Sequence, residues 1–141
     1  MRALLTAASL ALVALPGAAL AGDKGAGDKP YAKGEAELAK MLEGRVAGKP
    51  VRCLSSSNIQ NSTVIDKTAI VYRSGSKLYV NRPRTGATSL DDDDILVTKL
   101  YGSQLCNVDK VDLVDRGTRS WSGFVVLDDF VPYERVKTAR R

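Results

Sequence analysis

The chain has 141 residues, 21 Lys plus Arg against 16 Asp plus Glu, 44% hydrophobic residues, two Cys and no His. These figures fit one soluble domain with a core large enough to fold alone, and they exclude collagen-like chains and disulfide-dense miniproteins. Without histidine, Ser-His-Asp and Cys-His catalysis, His-ligated metal sites and imidazole pH switching are all excluded.

Met1 and Arg2 lead into an apolar run that Pro16 and Gly17 close. Ala19-Leu20-Ala21 then offers small residues where a signal peptidase cuts, so residues 1–21 are expected to be a removed signal peptide. The same stretch is too broken and alanine-rich for a permanent transmembrane span, and the expected location is periplasmic or secreted. Export places Cys53 and Cys106 where thiols oxidise, and with only two cysteines they are expected to pair with each other. Closing that loop of about 54 residues would stabilise the fold by about 4 kcal/mol in the chain-entropy picture.

Residues 22–31 carry a repeated Gly-Asp-Lys and nothing apolar beyond Ala26 and Tyr31, which reads as a flexible leader. Over residues 32–43, Leu38, Met41 and Leu42 recur at helical spacing, with Glu35 and Glu37 near the start and Gly44 just past the end. That pattern predicts one short amphipathic helix whose stripe packs on the domain rather than on a membrane. Gly44-Arg45-Val46-Ala47-Gly48-Lys49-Pro50 resembles a phosphate-binding loop only superficially: one residue is missing between the glycines, and Pro50 replaces the magnesium-binding hydroxyl. It reads as a helix stop followed by a turn.

From there β-branched residues cluster in short runs between turn formers. The predicted strands cover residues 51–54, 63–66, 69–73, 77–81, 95–100, 108–115 and 123–127, with Ser74-Gly75-Ser76 as a hairpin turn. Leu78 and Val80 share one face of their strand and Tyr79 takes the other, so that strand is expected to be covered on one side and partly on the second. Short strands without intervening helices argue a mainly β fold, bordering on α+β: a small antiparallel barrel, roll or sandwich, formed by residues 32–134 and followed by a basic tail, 135–141.

Chemistry-bearing clusters are few. Asp91, Asp92, Asp93 and Asp94 supply the oxygen ligands calcium prefers, yet Leu96 and Gly102 stand where a calcium hand needs Gly and Glu, so a solvated turn is the expected role and no cofactor is expected. A His-free hydrolase would have to draw two carboxylates from Asp66, Asp112, Asp115, Asp128 and Asp129, or pair Ser103 or Ser120 with a Lys. None of these sits at a recognisable spacing. Arg82 and Arg84, with Arg135, Lys137, Arg140 and Arg141 in the tail, are the candidates for contact with an anionic envelope surface. Nucleic acid is not an expected partner, because export and the lack of an aromatic stacking pattern argue against it. Asn61-Ser62-Thr63 matches the N-glycosylation triplet, which carries meaning only in a eukaryotic secretory pathway.

Several segments carry a resemblance: Arg52-Cys53, Val64-Ile65-Asp66 with Thr68-Ala69-Ile70, Tyr79-Val80-Asn81-Arg82-Pro83, and Gly102-Ser103-Gln104-Leu105-Cys106 with Val108-Asp109. Over roughly residues 51–133 the chain resembles an uncharacterised family of small exported proteins of Gram-negative bacteria, a domain of unknown function. The resemblance implies an exported, disulfide-stabilised β-rich domain and no activity. The expectation is therefore a monomeric or weakly associating module that binds an unidentified envelope component. A carboxylate hydrolase and a calcium-stabilised structural domain are the alternatives.

Overall fold

The computed structural model describes residues 29–136, so the expected signal peptide, most of the leader, and Lys137, Arg140 and Arg141 lie outside the described residues. Helix α1 (Lys29–Met41) is followed by β1 (Arg45–Ala47), β2 (Cys53–Ser55), β3 (Asn61–Ile65), β4 (Ala69–Ser74) and β5 (Lys77–Asn81). The second half supplies β6 (Asp94–Thr98), β7 (Gln104–Cys106), β8 (Lys110–Asp115), β9 (Trp121–Val126) and β10 (Phe130–Arg135). They form a five-stranded sheet in the order β1-β10-β5-β4-β3, a three-stranded sheet β6-β8-β9 and a two-stranded ladder β2-β7. Every pairing is antiparallel, as the mainly β reading expected.

Two apolar layers explain why β4 reads as an uninterrupted hydrophobic run. Pleating sends successive side chains to opposite faces. Ile70 and Tyr72 therefore join Phe130, Val111, Leu113 and Val125 in a core between the larger and smaller sheets. Ala69 and Val71 join Leu78 and Val80 beneath Leu38 of α1 on the opposite face. Tyr79 is half-buried on the inter-sheet side, so β5 has one fully covered face and one partly covered face. The Tyr72 ring meets Phe130 edge-on, with centroids 5.7 Å apart.

The helix begins three residues earlier than the sequence suggests and ends at Met41, with Gly44 at φ +70° closing the turn after it. Glu35 and Glu37 consequently sit mid-helix, and the first turn holds no acidic residue. Glu35 instead forks onto the Arg82 guanidinium, with Nη2 donating to Oε2 at 2.8 Å and Nη1 donating to Oε1. Those hydrogen bonds hold the Glu35 carboxyl below its ordinary range. Both side chains are about half exposed, so the pair contributes at most about 1 kcal/mol.

Three strands escape the sequence reading. The turn expected after Gly44 contains β1, which pairs with β10 in the register Arg45↔Arg135. The segment placed at the edge of the tail is β10, inside the larger sheet between β1 and β5. Pro132 disguises it, but this proline turns its carbonyl toward Gly48 N–H at 2.7 Å and away from β5, so the central ladder loses no bond. The third, β7, has only three residues and pairs with β2.

Asn81, at 0% exposure, ties β5 to the segment entering β10: its amide nitrogen donates to Asp128 C=O, and Asp128 N–H donates to its Oδ1 at 3.2 Å. Asn81→Ala is expected to cost about 2 kcal/mol, because it strands a buried donor and acceptor together. A denaturant midpoint unchanged from the parent would show that this link contributes nothing.

Candidate binding site

Regular pleating would place Trp121 and Phe124, three residues apart, on opposite faces of β9. The β8–β9 register slips instead: Gly123 faces Leu113, Trp121 faces Val114, and Ser122 is the extra residue of a β-bulge. Ser122 itself stays exposed, and its hydroxyl donates to Asp94 Oδ1 at 2.7 Å. The bulge leaves both aromatic rings on the outer face of the smaller sheet. Gly123 suits the kink, since its φ is +156° and a Cβ there would meet Ser89 Cβ at 3.2 Å.

On this face Trp121 is 64% exposed, Phe124 40% and Val97 42%, and no helix covers it among the described residues. Asp112 lies between Val97 and Phe124 in the register. Its Oδ1 accepts from Lys110 Nζ at 2.8 Å and from Trp121 Nε1 at 3.4 Å. The Lys110 bond holds the carboxyl below its ordinary range, with a smaller push from Trp121, so it is ionised at neutral pH. Lys110 Nζ also stands 5.3 Å above the Phe124 ring. Beside them a cleft of about 420 Å³ is lined by Lys99, Tyr101, Val108, Asp109, Lys110 and Asp112, with Tyr101 almost fully exposed. The face therefore offers flat apolar rings flanked by fixed donors and a fixed acceptor.

Of the carboxylates a hydrolase would need, Asp128 and Asp129 come together in one cleft, while Asp66 and Asp115 stand apart from them. Asp66 faces Lys67 at 3.7 Å, and Asp115 caps its turn by accepting from Thr118 N–H at 2.6 Å, which lowers its pKa. Asp128 and Asp129 share a cleft of about 280 Å³ with Arg82 and Tyr133. Both are already engaged: Asp128 with Arg84 at 3.4 Å, Asp129 with the Asn107 amide at 2.6 Å. The Ser120 hydroxyl bonds that of Thr118, and Ser103 is held through its carbonyl by Ser56.

The aspartate run diverges. Asp94 is buried and accepts from Asp91 N–H at 3.1 Å, Asp91 accepts from Asp93 N–H, and Asp93 faces Arg116 at 3.6 Å. Among the described residues no three His, Cys, Asp or Glu side chains converge as metal ligands.

The two mid-chain arginines serve the fold. Arg82 is held by Glu35, while Arg84 donates to the carbonyls of Leu127 and Asn107 at 3.0 and 3.1 Å. Arg135 joins a different group with Arg45 and Arg73. Desolvation first, and then these two neighbouring charges, lower the Arg45 pKa.

Cys53 and Cys106 are bonded as direct partners across β2 and β7, with Cα atoms 4.0 Å apart. Asn107 N–H donates to Arg52 C=O beside them, which puts the pair in the non-hydrogen-bonded register, where facing side chains are nearest.

The chain matches no family model, no curated protein and no solved structure. Composition and strand periodicity do not predict the aromatic face. A glycine between two aromatics inside a strand pattern, as in Trp121-Ser122-Gly123-Phe124, is the signal that could have shown it.

Proposed function

We propose that the protein is an exported, non-catalytic binding module of the cell envelope, and that the outer face of β6, β8 and β9 takes an envelope polysaccharide. The observation that carries this reading is the bulge that aims Trp121 and Phe124 out together on a sheet face that no helix covers among the described residues. Sugar rings present apolar C–H faces and a hydroxyl rim. Trp121 and Phe124 offer stacking surfaces to the former, and Asp112 and Lys110 offer an acceptor and a donor to the latter. The Cys53–Cys106 disulfide supports an oxidising compartment. No helix among the described residues is long and apolar enough to cross a membrane. The resemblance to small exported Gram-negative proteins supports the same location.

Retention of the purified protein on isolated envelope polysaccharide tests the reading. Trp121→Ala combined with Phe124→Ala is expected to cut retention at least tenfold. Stability should fall by no more than about 1 kcal/mol, since both rings are substantially exposed. Equal retention of parent and variant would refute the assignment of this face.

The grouping of Arg45, Arg73 and Arg135 favours a second reading, contact with an anionic lipid surface. Salt-sensitive binding to phosphatidylglycerol vesicles, lost in Arg45→Ala with Arg135→Ala and kept in the aromatic variant, would select it.

A further inference from the structure

Each of the two sheets that sandwich the core has an edge strand with no strand on its outer side among the described residues: β3 in the larger sheet, paired only with β4, and β6 in the smaller, paired only with β8. Both edges line one cleft of about 550 Å³, built from residues 61–64 on one wall and Asp92, Asp94, Ile95, Leu96 and Arg116 on the other. Ser62 and Leu96 also line an adjoining cavity of about 200 Å³ with Ile59, Tyr72, Thr98 and Leu105.

Hydrogen-bond alternation shows which backbone groups face this seam. Arg116 N–H bonds Asp93 C=O, and Asp115 N–H points the other way, to Ser120 C=O. In the β6–β8 ladder Ile95 and Val97 therefore spend their backbone groups on β8, while Leu96 and Thr98 present theirs to the open edge. In the larger sheet the two-residue turn of Gly75 and Ser76 closes β4–β5 at Ser74↔Lys77. The same alternation turns Arg73 and Val71 toward β3 and leaves Ser62 and Val64 facing out.

A second observation points into the same place. The Tyr72 hydroxyl is the one buried side-chain polar atom among the described residues that lacks a hydrogen-bond partner, and Tyr72 is only 4% exposed. Buried hydroxyls are nearly always satisfied. Burial also raises its pKa, so the group stays a neutral donor. At the far end of the seam Asp92 is exposed, whereas Arg116 is already paired with Asp93.

We propose that the seam between β3 and β6 accepts an extended peptide segment of a partner protein. The segment adds a strand to these edges, places an acceptor on the Tyr72 hydroxyl and sets a basic side chain against Asp92. Free edge groups in facing positions match a peptide backbone, which carries a donor and an acceptor at every residue. Leu96, Ile59 and Leu105 suit small aliphatic side chains. This site is separate from the aromatic face and stands or falls without it.

The test selects a bead-displayed heptapeptide library against the disulfide-bonded protein. Enriched peptides are then resynthesised with alternate backbone amides N-methylated. The proposal expects enriched peptides to carry a basic residue and to lose binding at least tenfold on N-methylation. Tyr72→Phe should weaken binding about fivefold, as for one lost hydrogen bond. Thr98→Pro, which removes an outward N–H without touching the β8 ladder, should abolish binding in a protein that still melts cooperatively. Hydrogen exchange gives an independent readout: the amides of Ser62, Val64, Leu96 and Thr98 should exchange freely in the protein alone and slow when peptide is bound. A library yielding no binder, binders indifferent to N-methylation, or edge amides already protected in the free protein would each overturn the proposal.

Discussion

Gly34→Ala is expected to destabilise the domain by about 3 kcal/mol, against the helix propensity that favours alanine over glycine by about 1 kcal/mol. Gly34 is buried where α1 crosses the β3–β4 turn. A Cβ there would stand 2.0 Å from Thr68 Oγ1 and 2.5 Å from Asp66 C=O. The hydroxyl cannot swing away freely, since it donates to that same carbonyl at 2.8 Å. The helix would have to lift, loosening Leu38 from the layer it forms with Val71, Leu78 and Val80. The two effects differ in sign, so equilibrium denaturation separates them. A more stable Gly34→Ala protein would mean that α1 is not docked at this turn.

Reducing the Cys53–Cys106 bond, or replacing both cysteines with alanine, is expected to cost about 4 kcal/mol. For a domain of this size that corresponds to a fall in Tm on the order of 15 to 30 °C. The cross-link spans 53 positions of sequence. It clamps two three-residue strands, β2 and β7, that among the described residues pair only with each other. Leu54 and Leu105, which belong to the main core, ride on that ladder, so its loosening should also expose core surface. Melting curves that coincide with and without reductant would contradict the clamp.

What the sequence discloses follows the range of the interactions involved. The β4–β5 hairpin is legible because its cues are local: the Ser-Gly-Ser turn and the alternation of Leu78, Tyr79 and Val80. The cysteine pairing is legible because only one intramolecular pairing exists. Strands β1 and β7 are too short to show a period, and β10 is hidden by Pro132 and by charges that resemble a tail. Arg82 and Arg84 look like a free basic pair beside Pro83, yet their partners lie 47 and 44 positions away, at Glu35 and Asp128. Asp94 looks like one more solvated aspartate, although contacts with Asp91 and Ser122 make it a buried anchor. The aromatic face depends on a register shift of one residue in β9, and composition carries no trace of register.

Trp121 is the sole tryptophan of the chain, so its fluorescence reports directly on the proposed binding face. The decisive measurement is acrylamide quenching of the parent protein during titration with isolated envelope polysaccharide. A ring that is 64% exposed should be readily quenched in the free protein, then become shielded with a blue-shifted emission as polysaccharide covers it. Polysaccharide that binds, or fails to bind, without changing either quenching or emission would contradict the assignment of function to this face.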